Sequence, residues 1–248
     1  MFRFYNDFMG KQDTIYESGN LSGLPFSFNQ EVTEVFEDMI DRSVPGYKTS
    51  LNIIKYLSKK YYQENTNCYD IGCSLGASSA AILDGANSPK VIAVDNSEAM
   101  ISECRRRFES QIDSKFIEFK AEDIMETKLE NASAVVINYV IQFLDILQRD
   151  ELIKRIHNSL VPGGILILSE KIHFTNQLET NRFYKTHHKF KSMNGYSDME
   201  IAGKRDSLEG VLITETEKDH IKRAIDCGFA RHEKILSNLN FRTFIFFK

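Results

Sequence analysis

The chain has 248 residues, with 31 Lys and Arg against 35 Asp and Glu, a formal charge of −4 and a pI near 5.9. Hydrophobic residues make up 42% and charged ones 27%, the proportions of a globular protein with a full core, which excludes a disordered tail, a collagenous repeat and a histone-like basic protein. Net charge supplies no attraction for nucleic acid. The four cysteines, Cys68, Cys73, Cys104 and Cys227, form no C-x-x-C pair, which argues against a zinc ribbon or a thioredoxin-type centre. No basic-then-apolar leader opens the sequence, and apolar runs such as 165–168 and 244–247 are far shorter than the ~20 residues that cross a bilayer. The expectation is a cytoplasmic protein with reduced thiols and no membrane partner.

Taken in chain order, about the first 28 residues have weak periodicity and read as a loosely held arm. Residues 31–42 place Val32, Val35, Phe36, Met39 and Ile40 on one helical face. Ser43-Val44-Pro45-Gly46 breaks that helix, and a second over 47–62 carries Leu51, Ile54, Leu57 and Tyr61 at helical spacing. Beyond Asn65, short apolar runs at 68–71, 90–95, 116–119, 134–138 and 165–169 alternate with helical stretches, the clearest at 97–112 and 149–160. Such alternation predicts an α/β fold with a mostly parallel sheet covered on both faces. Thr214 and Glu217 have the spacing of a capping box for a helix that Gly228 ends. Runs at 233–236 and 243–247 flank Leu239-Asn240, the spacing of a hairpin that adds an antiparallel strand. One domain over 1–248 is expected: an arm and helical cap (1–64), a nucleoside-binding core (65–172), an insertion (173–213), and a helix with a hairpin (214–248).

The strongest local signal is Tyr69-Asp70-Ile71-Gly72-Cys73-Ser74-Leu75-Gly76, where a strand gives way to a helix. Small residues at 72, 74 and 76 let the backbone turn sharply and leave room for a ligand. Asp95 closes the next strand, 19 residues after Gly76, where a carboxylate can accept both ribose hydroxyls of an adenosine. Asp123, in Ala121-Glu122-Asp123-Ile124, ends the third strand and suits an adenine amino group. All three stand at successive carboxyl ends of a parallel sheet, the place where such folds bind ligands. The Gly72-Cys73-Ser74-Leu75-Gly76 order is not the Gly-x-Gly-x-x-Gly of dinucleotide enzymes; it resembles motif I of the class I S-adenosylmethionine-dependent methyltransferases, a Rossmann-like fold, with Ser74 where Gly is usual. Asn138-Tyr139-Val140-Ile141 lacks the Pro-Pro of enzymes that methylate base amino groups, and no Pro-Cys nucleophile occurs.

Further blocks narrow the resemblance. Val35-Phe36-Glu37-Asp38-Met39-Ile40 running into Arg42-Ser43-Val44-Pro45-Gly46-Tyr47, then Asp95-Asn96-Ser97, Leu168-Ser169-Glu170-Lys171, His187-His188-Lys189-Phe190-Lys191, Asn194-Gly195-Tyr196-Ser197 and Lys204-Arg205 resemble the carboxy-S-adenosylmethionine synthases from about residue 30 onward. The resemblance implies that prephenate gives up its ring carboxyl group to the S-methyl of S-adenosylmethionine, as a sulfonium ylide, yielding carboxy-S-adenosylmethionine and phenylpyruvate. A partner tRNA carboxymethyltransferase would then act on the wobble uridine. It also implies a homodimer, which Phe183, Tyr184, Phe190, Met193 and Tyr196 of the insertion suit. Carried over by position, the ligand contacts are Tyr47, Gly72, Cys73, Ser74, Asp95, Asn96, Asp123, Ile124, Asn138 and Arg205. Arg205, a guanidinium that can grip a carboxylate bidentately, and Tyr47 are the expected catalytic pair.

Bland readings stand beside these. A surface Lys204-Arg205 pair is normally solvated, Arg105-Arg106-Arg107 reads as the solvated face of a helix, and Cys73 has no adjacent His to activate it. His187 and His188, adjacent on a helix, point apart, so no metal site is expected. The rival functions are an ordinary methyltransferase acting on tRNA or a small molecule, and a nucleoside-binding module without catalysis.

Overall fold

A computed structural model of the chain describes residues 11–17 and 25–248. The strands are β1 (Asn67–Ile71), β2 (Lys90–Asp95), β3 (Ile117–Ala121), β4 (Ala132–Asn138), β5 (Leu160–Lys171), β6 (Arg231–Asn238) and β7 (Phe241–Phe247). They form one sheet in the order β3-β2-β1-β4-β5-β7-β6. The first five run parallel, and β7 lies antiparallel between β5 and β6. The expected α/β fold with an antiparallel C-terminal strand is therefore present. Around the sheet stand α1 (Gln30–Ser43), α2 (Tyr47–Tyr61), α3 (Ala77–Gly85), α4 (Glu98–Arg107), α5 (Glu109–Asp113), α6 (Ile146–Ser159), α7 (Gln177–Met193), α8 (Asp198–Ser207) and α9 (Glu217–Asp226).

Both faces of the sheet are covered, which is why its strands read as unbroken apolar runs. Cys68 of β1 packs with Leu51, Ile54 and Leu57 of α2. Tyr69 and Ile71 of the same strand pack with Ile153 and Ile156 of α6 and Ala224 of α9.

Several boundaries differ from expectation for identifiable reasons. The 97–112 helix is two helices, α4 and α5, joined at Phe108, whose ring turns onto Phe119 at 5.2 Å between centroids. Helix α6 begins earlier than 149 because the Asp145 side chain caps Leu147 N at 2.9 Å, and Leu147 itself is exposed and carries no periodic signal. The capping box of α9 uses Thr216 and Asp219; Thr214 instead meets the His173 ring at 3.1 Å, and Glu217 pairs with Lys234 and Arg242. Of the arm, residues 11–17 are held firmly: the Tyr16 hydroxyl lies 2.8 Å from Ser207 Oγ, and the buried Asp13 accepts from the Tyr196 hydroxyl. Phe26, further along the arm, donates its N–H to Ser207 O at 2.8 Å, while 1–10 and 18–24 lie outside the described residues. Arg42 ties this corner together, donating to Asp38, to the carbonyls of Asp13 and Asn194, and stacking 3.7 Å above the Tyr196 ring.

Glu170, near the end of β5, is fully buried. Its Oε1 accepts from Val140 N (3.1 Å) and Ile141 N (2.8 Å), and its Oε2 from Gln142 N at 3.3 Å. Burial pushes the carboxyl up to about 8 against the pull of these three donors. The contact pins the turn that follows β4, where the chain leaves the sheet toward the cavity. Glu170→Gln turns an NH2 group toward one of those N–H donors, and a loss of about 1–3 kcal/mol in urea unfolding is expected; unchanged stability would show that the turn holds itself.

Candidate active site

The turn after β1 is left-handed at three alternate residues: Gly72 (φ 70°), Ser74 (φ 47°) and Gly76 (φ 78°). This is the conformation that the small residues at 72, 74 and 76 were expected to allow. Gly72 N and Cys73 N both donate to Val94 O, at 2.8 and 2.9 Å, which draws the turn onto β2. A Cβ on Gly72 would stand 2.5 Å from Val140 Cγ2, so the turn also fits under the residue that Glu170 fixes. Ser74 accepts the left-handed position and donates its N–H to Asp95 Oδ2 at 2.9 Å, while Asp95 Oδ1 takes the Ser97 N–H, also at 2.9 Å. Asp95 thus holds backbone donors on both oxygens and still has acceptor capacity left. Burial raises the Asp95 carboxyl above its ordinary range. Asp70, behind the turn, takes the Ser79 hydroxyl at 2.6 Å and is pushed up to about 7 by burial.

Above the carboxyl ends of the strands lies a cavity of about 500 Å³. Tyr47, Gly72, Cys73, Ser74, Asp95, Asn96, Asp123, Ile124 and Asn138 all line it. Arg205 does not. Its side chain is 50% exposed on α8, with Nε and Nη2 both on Asp206 Oδ1 at 2.8 and 2.7 Å. Within its own chain the expected cation is therefore absent from the cavity wall.

The cations on that wall are three that the sequence did not single out: Lys171 at the end of β5, Lys191 of α7 and Lys204 of α8. Each falls inside a block noted above, yet lysine is normally solvated, and nothing in the one-dimensional pattern marks these as buried. Beside them His187 is buried and donates from Nε2 to the Ser43 carbonyl at 2.7 Å. Burial, then Lys171 and Lys191, push its pKa down to about 2, so the ring is neutral. No cluster of His, Cys, Asp or Glu suited to a metal ion occurs among the described residues.

Two buried acceptors on the wall, Asn138 Oδ1 and Gln142 Oε1, have no hydrogen-bond partner among the described residues. Buried acceptors are rarely left so, and these two suit donors on a ligand. Tyr139, between them, is left-handed (φ 66°), a costly conformation for a large residue; its ring sits 6.3 Å from Tyr47 and 5.8 Å from Phe241. Cys73 lies against Cys104, and burial keeps its thiol well above the ordinary value, so it is no nucleophile. The three arginines after Glu103 are paired: Arg105 with Glu98, Arg106 with Glu103, and Arg107 with Glu103 and Glu37. Arg107 is pinned against α1 and does not belong to a solvated face.

Residues 69–164 match the family described as methyltransferase domain. The chain is 42% identical over 244 residues to the carboxy-S-adenosyl-L-methionine synthase of Hahella chejuensis, covering 96% of this chain and 98% of that protein. It is 40% identical over 243 residues to the Citrobacter koseri protein of the same name, covering 97% and 98%. Among solved structures it resembles the magnesium protoporphyrin IX methyltransferase of Synechocystis with bound SAH, with a TM-score of 0.57, 15% identity and coverage of 82% and 84%; this likeness concerns the fold. Similarity at this level from end to end, joined to the strand order and the left-handed turn after β1, places the chain in the family of carboxy-S-adenosyl-L-methionine synthases, enzymes built on the methyltransferase domain.

Proposed function

We propose that the protein converts S-adenosyl-L-methionine and prephenate to carboxy-S-adenosyl-L-methionine and phenylpyruvate. The observation that carries this reading is one cavity whose wall brings together acceptors at the ends of β2 and β4 and three lysines from β5, α7 and α8. The acceptors match the first substrate. Asp95 can accept the ribose hydroxyls, Asp123 can accept an adenine amino group, and Asn138 Oδ1, without a partner among the described residues, can accept an amino-acid ammonium. The lysines suit a dianion, which plain methyl transfer would not require. In the reaction, the bond from the ring to its carboxylate breaks, the ring becomes aromatic as its hydroxyl departs, the S-methyl carbon takes the carbon dioxide, and the methyl proton leaves with that hydroxyl as water.

The chain's own residues bind, orient and shield. Phe26, Phe28, Phe36 and Phe143 give the wall apolar surface that keeps water from the reacting carbon, and the Tyr47 phenol offers one hydrogen bond from the helical cap. Walls drawn from Phe26 to Phe241 support treating the chain as one ligand-binding unit. The proposed homodimer would use the insertion, where Leu178, Tyr184, Met193 and Met199 are exposed large apolar side chains on α7 and α8. Arg205 stays in the proposed ligand set as a residue of that shared surface. The product is proposed to go to a tRNA carboxymethyltransferase in the cytoplasm; no helix among the described residues is long and apolar enough to cross a membrane.

Mass spectrometry after incubation with both substrates is expected to show adenosylmethionine plus the mass of one carboxyl group. Unmodified cofactor beside methylated tRNA would establish an ordinary methyltransferase instead. Asp95→Ala is expected to weaken adenosylmethionine binding by about 1.5–3 kcal/mol in calorimetry, the range for hydrogen bonds to a charged group. Sedimentation at micromolar concentration is expected to give the mass of two chains, and a monomer would count against the shared surface.

A further inference from the structure

Lys171, Lys191 and Lys204 come from three separate elements and meet on one stretch of the cavity wall. Lys191 and Lys204 are 8% and 9% exposed. Among the described residues, none of the three lies within ion-pair distance of an Asp or Glu. Lys191 and Lys204 are buried and Lys171 partly so; ammonium groups that share a recess with no paired carboxylate are costly, and the recess is completed when an anion enters it.

We propose that Lys171, Lys191 and Lys204 form a fixed cationic recess on the cavity wall that selects the dicarboxylate co-substrate. This rests on the reading that the co-substrate is prephenate. The charge count favours it. Prephenate brings two carboxylates; after reaction one remains on phenylpyruvate and the other is on the new product. A stationary set of cations on separate elements can meet both carboxylates as prephenate binds. Three separate ammonium groups suit two carboxylates that must part, where one bidentate fork would grip only one.

The surroundings make the recess sensitive to pH. Burial, with repulsion from neighbouring cations added, lowers Lys171 and Lys204 to about 7, and burial lowers Lys191 to about 8. The other groups facing them are Asp13 from the arm, Arg42 of α1, and His187, His188 and Tyr184 of α7. Of these, Asp13 draws Lys191 and Lys204 toward their charged forms, and the neutral His187 ring adds no charge. Each lysine carries its charge below its lowered pKa and loses it above, so affinity for an anion is greatest in mildly acidic solution and falls as pH rises through 7 and 8. An entering dianion restores the missing protons.

The test uses the full chain loaded with S-adenosylhomocysteine, which has no methyl group to react, and prephenate as the probe. Calorimetry between about pH 6.5 and about pH 9, in two buffers of different ionisation enthalpy, reads affinity and protons taken up. Wild-type protein is expected to take up protons on binding and to bind more weakly as pH rises. Lys171→Met, Lys191→Met and Lys204→Met are each expected to weaken prephenate about ten- to a hundredfold while leaving adenosylmethionine affinity and melting temperature intact. Lys204→Arg, which keeps its charge throughout, should bind prephenate with a flatter pH profile. Full prephenate affinity in the methionine variants, or no binding to wild type, overturns the proposal. Binding that the variants lose, without carboxylated product from wild type, leaves the recess standing and overturns the proposed reaction.

Discussion

One buried carboxylate organises the mouth of this sheet. Glu170 gathers the N–H groups of Val140, Ile141 and Gln142, and the chain leaving β4 has no other way to satisfy three inward-facing donors at that depth. Val140, so held, lies over Gly72, where a side chain would collide with it. The turn after β1 is therefore confined between Val140 above and the Val94 carbonyl beside it. Asn138 and Tyr139, immediately before the gathered residues, face the cavity as a result. A single glutamate links two neighbouring strand ends and sets the separation between them.

The cavity divides its labour by charge. At the strand ends are acceptors: Asp95, Asp123 and the unpartnered oxygens of Asn138 and Gln142. On the same wall are cations carried by β5, α7 and α8. The parallel sheet supplies the first group through its own geometry, because every strand ends on the same side. The second group takes Lys171 from the end of β5 and the other two lysines from the insertion. Residues 11–17 and Arg42 brace that insertion through Tyr16, Asp13 and the Tyr196 ring, so the N-terminal cap helps shape the cationic end without supplying any of its three lysines.

This division explains what could be read from the sequence. Tyr69 to Gly76, Asp95 and Asp123 were legible because each is a local signal tied to strand periodicity, and strand ends converge by rule. The lysines were not legible because they are distant in sequence, and only helix phase and packing turn them inward. Arg205 illustrates the point. Successive helical residues are rotated by about 100°, so Lys204 and Arg205 cannot share an environment; Lys204 faces the cavity and Arg205 faces Asp206. Lys204 lines the cavity, while Arg205, which chemical suitability favoured, stands on the outer face of its helix. The α9 boundary was ambiguous for a different reason: two overlapping frames, Thr214 with Glu217 and Thr216 with Asp219, satisfy the same local rule, and the partners of Thr214 and Glu217 lie elsewhere in the fold.

The position of β7 has a consequence for how the molecule is made. It follows β6 in the chain yet lies between β5 and β6 in the sheet, so β5 waits with an open edge while α7, α8, α9 and β6 are synthesised. An unpaired apolar edge in a partly made chain is a hazard for misassociation. Contacts this distant in sequence also form slowly. Phe241, at the start of β7, is part of the cavity wall, which makes the binding chamber one of the last features to close. Newly made chains would thus pass from an aggregation-prone form to a ligand-competent one in a single late step, and a ligand present at that moment would act as a folding aid by drawing the final strand into place.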